Sequence, residues 1–237
     1  MTQPGQEPAQ SWDRETLNDE LFRRPPVPAP ESSLVIHVAL LQDAEQAAAS
    51  IAHISGLLVD ANLANPDDKG NYEVIPIGDD RLKWERHNEF TTYTLITRSS
   101  RDDPFAVPAD HPLGTDWMGK LSGTTIAATK VRLVPQGAEQ VLERALVSMR
   151  PDSASGLIAE GQARLWADCA IGADGFTRIA VEDRGVAPDR RGRMVQRLVE
   201  LETYRMMALL GFPRAKSVMG QLHRLEASLQ DLVARVA

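Results

Sequence analysis

Two stretches of this chain constrain its fold more than any other feature. LKWERHNEFTTYTLIT (residues 82–97) and RLWADCAIGADGFTRIAVED (residues 164–183) are both rich in β-forming residues. Each sets a tryptophan ahead of a Phe-Thr pair: Trp84 before Phe90-Thr91, and Trp166 before Phe176-Thr177. β-Branched and aromatic side chains suit a pleated, half-buried surface, so each stretch is expected to form a β-hairpin. Asp174-Gly175 supplies the second turn with residues that accept positive φ.

A strand and a helix precede each hairpin. LVIHVALL (residues 34–41) is an apolar run expected as a buried strand. The Ala-rich segment after it repeats Ala47, Ile51, Ile54 and Leu58 at helical spacing. LANPDDKGN (residues 63–71) is expected as a loop. TTIAATKVRLV (residues 124–134) opens a second round, and the helix after it carries Val141, Leu142, Ala145 and Leu146 on one side. Strand–helix–strand–strand, twice over, predicts an α+β fold with an internal duplication. The sheet is expected to be mixed or antiparallel, with the helices of the two units on one face. The Pro-rich segment between the rounds leads into a short helix near residues 116–121.

The flanks have a different character. Residues 1–12 are polar and rich in Pro and Gln, residues 11–22 can form a short helix, and RRPPVPAPESS (residues 23–33) must be extended. That strap is either a linker or an arm laid on the domain. At the other end Pro188 suits a first helical turn and Ala187 is a poor N-cap. The helix runs to Gly211 and breaks at Pro213. A second helix carries Val218, Leu222, Leu225, Leu229, Leu232 and Val236 at spacings of four and three, a heptad seam. It can meet a second copy of the chain or a partner helix, or pack on its own domain. The expected division is a polar arm over 1–33, a head over 34–187 and a helical stalk over 188–237. Because the seam is still running at the last residue, the natural protein is expected to continue.

LNDELFRRPP (residues 17–26), LKWERHNEFTTYT (82–94), ARLWAD (163–168) and DGFTRIAVEDRG with GRMVQRLVELETYRMMALL (174–210) resemble a family of uncharacterised membrane-anchored bacterial proteins, the domain of unknown function 3422. The likeness runs through nearly the whole chain in order. It implies a soluble N-terminal part of a protein held at the cytoplasmic face of an inner membrane by a C-terminal segment not in this chain. It implies no catalytic residues.

Composition narrows the chemistry. With 26 Lys and Arg against 33 Asp and Glu the net charge is -7, so nothing points to a nucleic-acid partner. Cys169 is the single cysteine, which excludes an intrachain disulfide and any multi-cysteine zinc site, and its strand-like surroundings predict a buried, inert thiol. His37, His53, His87, His111 and His223 are scattered singly, so no metal is expected, and His37 is expected as a hydrogen-bonded core residue. No glycine-rich phosphate loop and no G-x-S-x-G elbow occurs, and no cofactor is expected. The N-terminus has neither the basic nor the apolar region of a secretory signal, and runs such as MMALLGF are too short to cross a bilayer.

Three polar clusters are candidate sites. Glu85, Arg86, His87 and Glu89 crowd the first hairpin. Alternation sends Trp84 and Arg86 to one face, where Arg86 would need Glu89, Asp168 or Glu202 as its carboxylate. The alternatives there are a structural ion pair, ligand binding, or acid–base work by Glu85, His87 or Glu89. The second cluster, Asp183, Arg184, Arg190, Arg191, Arg193 and Arg197, surrounds a helix start where an anion or acidic lipid headgroup can bind, although Glu182, Asp183 and Asp189 oppose that field. In the third, Glu202 and Arg205 are expected as a polar lock, with Met206, Met207, Leu209 and Leu210 as core. The leading expectation is a sensory or protein-interaction domain without catalysis, associating through its heptad seam. The alternatives are a small-anion binder or enzyme built on the two arginine-bearing clusters, and a peripheral domain for anionic lipid.

Overall fold

The computed structural model describes residues 25–60, 71–87, 90–100, 103–114 and 117–236. The expected helix over 11–22, most of the loop over 63–71, and Glu89 lie outside the described residues.

Eight strands form one mixed sheet: β1 (Leu34–Leu41), β2 (Tyr72–Ile77), β3 (Asp80–Arg86), β4 (Thr91–Thr97), β5 (Thr124–Pro135), β6 (Ala154–Ile158), β7 (Ala163–Asp168) and β8 (Thr177–Asp183), in the order β2-β3-β4-β1-β5-β8-β7-β6. The expected α+β architecture is present, with both hairpins in place. β2 and β6 were not expected. Pro76 sits inside β2 and Gly156 inside β6, residues that argue against a strand. Both strands lie at the edges of the sheet, where an unpaired outer row tolerates them.

The two halves share a strand order counted outward from the centre, β1-β4-β3-β2 and β5-β8-β7-β6. Trp84 on β3 and Trp166 on β7 enter the same apolar cluster on the same face. One pairing differs in sense: β4 runs antiparallel to β1, whereas β8 runs parallel to β5. The halves are alike in order and in the placement of their indoles, and no rotation superposes all their strands.

Both faces of the centre are covered, which is why β1 is apolar on both faces except at His37. Leu34, Ile36, Val38 and Leu40 point to a face closed by Ile54 and Leu58 of α1 (Ala44–Asp60) and Ala145 of α2 (Glu139–Val147). The connection from β4 to β5 lays Phe105 and Trp117 on the same face, and its 3-10 turn, Trp117–Lys120, falls where a short helix was expected. The Tyr93 and Trp117 rings meet edge to face, centroids 6.5 Å apart.

The opposite face belongs to α3 (Pro188–Leu210). Val195 and Val199 pack on Val35, Val131, Leu133 and Val181, and Met206 and Met207 pack against Phe90 and Ala127. The helix therefore lies on the head for most of its length before the chain departs. Leu209 and Leu210, expected in the core, are about half exposed because they lie past the last contact with the sheet. α4 (Phe212–Val236) then projects, every described side chain exposed except for half-buried Gly220. Cys169 is exposed, not buried, because β7 ends at Asp168.

The Pro-rich strap is ordered over residues 25–33 and lies against α3, with Val27 and Ala29 buried. Two buried arginines tie it down. Arg191 donates to the Ala29 carbonyl at 3.3 Å and to Glu31 at 3.2 Å. Arg132 donates to the Ser33 carbonyl at 3.0 Å and to Ser32 Oγ at 3.2 Å. The strap comes so close to α3 that a Cβ on Gly192 would collide with the Val27 carbonyl. At an exposed helical position Gly→Ala stabilises by about 1 kcal/mol. Gly192→Ala should instead destabilise by roughly 1–3 kcal/mol. The expected readouts are a lower urea midpoint and faster proteolysis within residues 25–33.

Candidate functional site

A sheet of eight strands spaced about 4.8 Å apart is roughly 34 Å across, whereas a helix with its side chains covers about 10 Å. Lying near the middle of its face with only the strap beside it, α3 leaves a furrow along each flank. One opens over β1, β4 and β3 and is nearly filled by its own side chains, with a cavity of about 40 Å³. The other opens toward β6 and the turn after it and has a cavity of about 460 Å³.

Polar side chains turned toward α3 line the first furrow. Lys83 and Glu85, two residues apart on β3, share a face, and Lys83 Nζ lies 2.9 Å from Glu85 Oε1. Both are almost wholly shielded from water. An ammonium in that position requires a counter-charge, which Glu85 supplies. Lys83 Nζ also sits 5.6 Å from the centre of the Tyr72 ring. Thr92 Oγ1 approaches Glu85 Oε2 at 3.5 Å.

His37 closes the floor of this furrow. Its Nδ1 is 2.8 Å from Thr94 Oγ1 and its Nε2 is 3.0 Å from Thr203 Oγ1. The Thr203 hydroxyl donates to the Val199 carbonyl at 2.9 Å, so it accepts from His37, and the proton of a neutral imidazole sits on Nε2. Burial, and then the charge of Lys83, push the His37 pKa down to about 3. His37 is the hydrogen-bonded core histidine that its apolar strand predicts.

The predicted residues of the first hairpin separate. Glu85 and His87 line the furrow, and His87 stacks on Phe90 with centroids 4.3 Å apart. Arg86 donates to Asn71 Oδ1 through Nε at 3.2 Å and Nη2 at 2.9 Å. Two of the carboxylates expected for it are committed elsewhere. Glu202 pairs with Arg205 at 2.7 Å, the expected polar lock, and Asp168 accepts the backbone N–H groups of Arg150 and Ala170.

The second cluster is divided by the turn of the helix. Arg191 points inward and pairs with Asp183, Nε to Oδ2 at 2.5 Å. Burial works against the charged form of Asp183, but the N–H groups of Gly185 and Val186 and the Arg191 guanidinium outweigh it, and its pKa falls below the usual carboxylate range. These bonds pin the start of a helix whose own N-cap, Ala187, has no side-chain bond to offer. Arg184 pairs with Glu182 at 2.7 Å. Arg190, Arg193 and Arg197 line the second furrow, exposed, and their side chains make no ion pair or hydrogen bond among the described residues. The two arginine-bearing clusters thus lie on opposite flanks of α3 and do not form one site.

Sequence reasoning missed Lys83, Thr94 and Thr203 as furrow residues. A lysine in a strand is ordinarily solvated, and only its spacing of two from Glu85 hinted at a shared face. Among the described residues no group of three or more His, Cys, Asp or Glu side chains is placed to hold a metal ion. A family model described as protein of unknown function (DUF3422) matches residues 9–237. No curated protein and no solved structure matches the chain.

His37 gives the head an acid sensitivity with a defined sign. Its folded pKa lies below the unfolded value of 6.5, so the unfolded chain binds the extra proton as pH falls. Stability contributed by the neutral ring is complete above pH 6.5 and is lost from there down toward pH 3, by up to about 1.4 kcal/mol per pH unit. Urea unfolding at pH 7.5 and pH 5 should show this loss. His37→Gln should be less stable at pH 7.5 and lose less on acidification.

Proposed function

We propose that this chain, which belongs to the DUF3422 family, is a sensory or protein-interaction head without catalytic chemistry, presented on a helical arm that associates with other copies of itself. The observation that carries this reading is the bare stripe on α4. Val218, Leu222, Leu225, Leu229 and Leu232 recur at heptad spacing and are 47%, 45%, 68%, 61% and 60% exposed. Phe212, Met219 and Val233 lie exposed beside them at a third heptad position, which Glu226 occupies midway. The continuous seam is therefore two positions in seven, which suits a pair of helices. Every copy of the chain carries the same stripe, so copies supply complementary faces without a second partner.

The polar residues of the head support a binding or structural role over acid–base work. Glu85 is held by Lys83, His37 by two threonines, Asp183 by Arg191 and Glu202 by Arg205. A general acid or base needs a free proton-transfer position facing substrate, and each of these groups has spent its position on a neighbour. Attachment to the cytoplasmic face of a bacterial inner membrane, through a segment outside this chain, is part of the same proposal. Among the described residues no helix is long and apolar enough to cross a membrane.

Sedimentation velocity over a concentration series tests the arm. The whole chain should associate reversibly, and a chain ending at Gly211 should remain monomeric. Leu225→Ser with Leu229→Ser should abolish association while leaving the unfolding transition of the head unchanged. A whole chain that sediments as a monomer at every concentration would remove the self-association reading.

A further inference from the structure

The second furrow ends on an edge of the sheet that no other strand covers among the described residues. β6 pairs with β7 on one side only, so its outer row of N–H and C=O groups faces away from the sheet. Its sequence, ASGLI, has no charge and no proline, and Leu157 is 62% exposed. The opposite edge, β2, is blunted by Pro76 and carries Glu73. Natural sheets guard their edges with such residues, and an unguarded strand is a template for another strand.

The furrow meets that strand at Ile158, its last residue, and across it stands a row of cations. Arg190, Arg193 and Arg197 follow one another at steps of three and four on α3, a run of roughly 10 Å along the axis. None of their guanidiniums has a hydrogen-bond or ion-pair partner among the described residues. Between them and the edge lies an apolar floor that includes Ile158, Met194 and Leu198. Glu160 on the far lip, and Asp189 next to Arg190, remove part of the field and leave an excess of positive charge. The chain as a whole is acidic, at -7, so this flank is set apart from the bulk of the molecule.

We propose that β6 and the arginine furrow together form a docking site for an extended acidic peptide segment of a partner protein. The segment adds to the sheet as a ninth strand. Past Ile158 it runs on into the furrow, where side chains on one face recur about 6.8 Å apart, so two carboxylates fit within the span of the three guanidiniums. Guanidinium binds carboxylate through paired N–H donors, which gives the contact direction as well as charge. Apolar side chains of the segment meet the floor. This site is on the head and is independent of what covers α4.

The probe is fluorescein-labelled acetyl-(Glu-Val)4-amide, followed by anisotropy with the whole chain. Saturable binding that weakens with salt is expected, and acetyl-(Lys-Val)4-amide should not bind. Arg193→Glu with Arg197→Glu should weaken binding at least tenfold, and the milder Arg193→Gln with Arg197→Gln should weaken it in the same direction. Both pairs are exposed, and unchanged thermal unfolding confirms that the head is intact. Strand addition is read separately, by methylating alternate backbone nitrogens of the probe in each of its two registers. One methylated register should lose at least tenfold, because it blocks the nitrogens that face β6. Equal binding to the charge-reversed chain, equal binding of both methylated probes, or no binding at all would overturn the proposal. Vesicles containing phosphatidylglycerol that bind through Arg193 and Arg197, with no peptide binding, would overturn it in favour of a lipid surface.

Discussion

A wide sheet with two apolar faces has to be covered on both, and one helix cannot cover eight strands. The rest of the structure follows from that mismatch. On one face two helices and the long connection from β4 to β5 share the task, and Phe105 and Trp117 seal what α1 and α2 leave open. On the other face the chain spends one helix and an irregular strap. Strands on the flanks of α3 therefore face neither solvent nor a packed neighbour in full. Residues suited to both environments collect there: threonines, a lysine with its own carboxylate, and arginines whose stems lie on apolar side chains while their heads reach water.

The strap shows how a segment without regular structure can still be part of the core. Its prolines restrict the unfolded chain, which lowers the entropy lost on ordering it. Its carbonyls need donors, and two buried arginines provide them. Arg191 is joined to Asp183, and Asp183 to the backbone at the start of α3. The same contacts that hold the strap thus fix where the helix begins. Gly192 completes this arrangement by omission, since only a residue without a Cβ lets the strap carbonyls lie against the helix.

Periodicity and turn chemistry made much of this fold legible. The indole-bearing hairpins, the helix between each strand pair, the start of α3 at Pro188 and the heptad stripe were all readable from side-chain spacing. Edge strands were not, because Pro76 and Gly156 argue against a strand unless the edge position is already known. The reversed sense of the β5–β8 pairing was not either, since a repeated order of strand and helix does not specify the direction in which the last strand returns. The candidate sites suffered most. Five arginines close in sequence look like one positive cluster, but the 3.6-residue period of α3 turns Arg191 inward and sends Arg190, Arg193 and Arg197 to a flank. Arg86 bonds the asparagine amide of Asn71, a partner not foreseen because Asn71 precedes the unpredicted β2.

α3 links these features mechanically. Its inward stripe grips the sheet through Val195, Val199 and Thr203, and its two flanks are the walls of the two furrows. Its far end passes into α4 through Gly211, Phe212 and Pro213, where a proline costs no hydrogen bond because it falls in the first turn of the new helix. The chain is thereby nearly continuous from the sheet to the tip of the arm, with its one interruption outside the head. A molecule that widened either furrow would have to displace α3, and the His37–Thr203 bond across the first furrow sets a local resistance to that movement. Buried polar bonds of this kind are costly to leave unmade, so the helix should shift between discrete positions rather than drift.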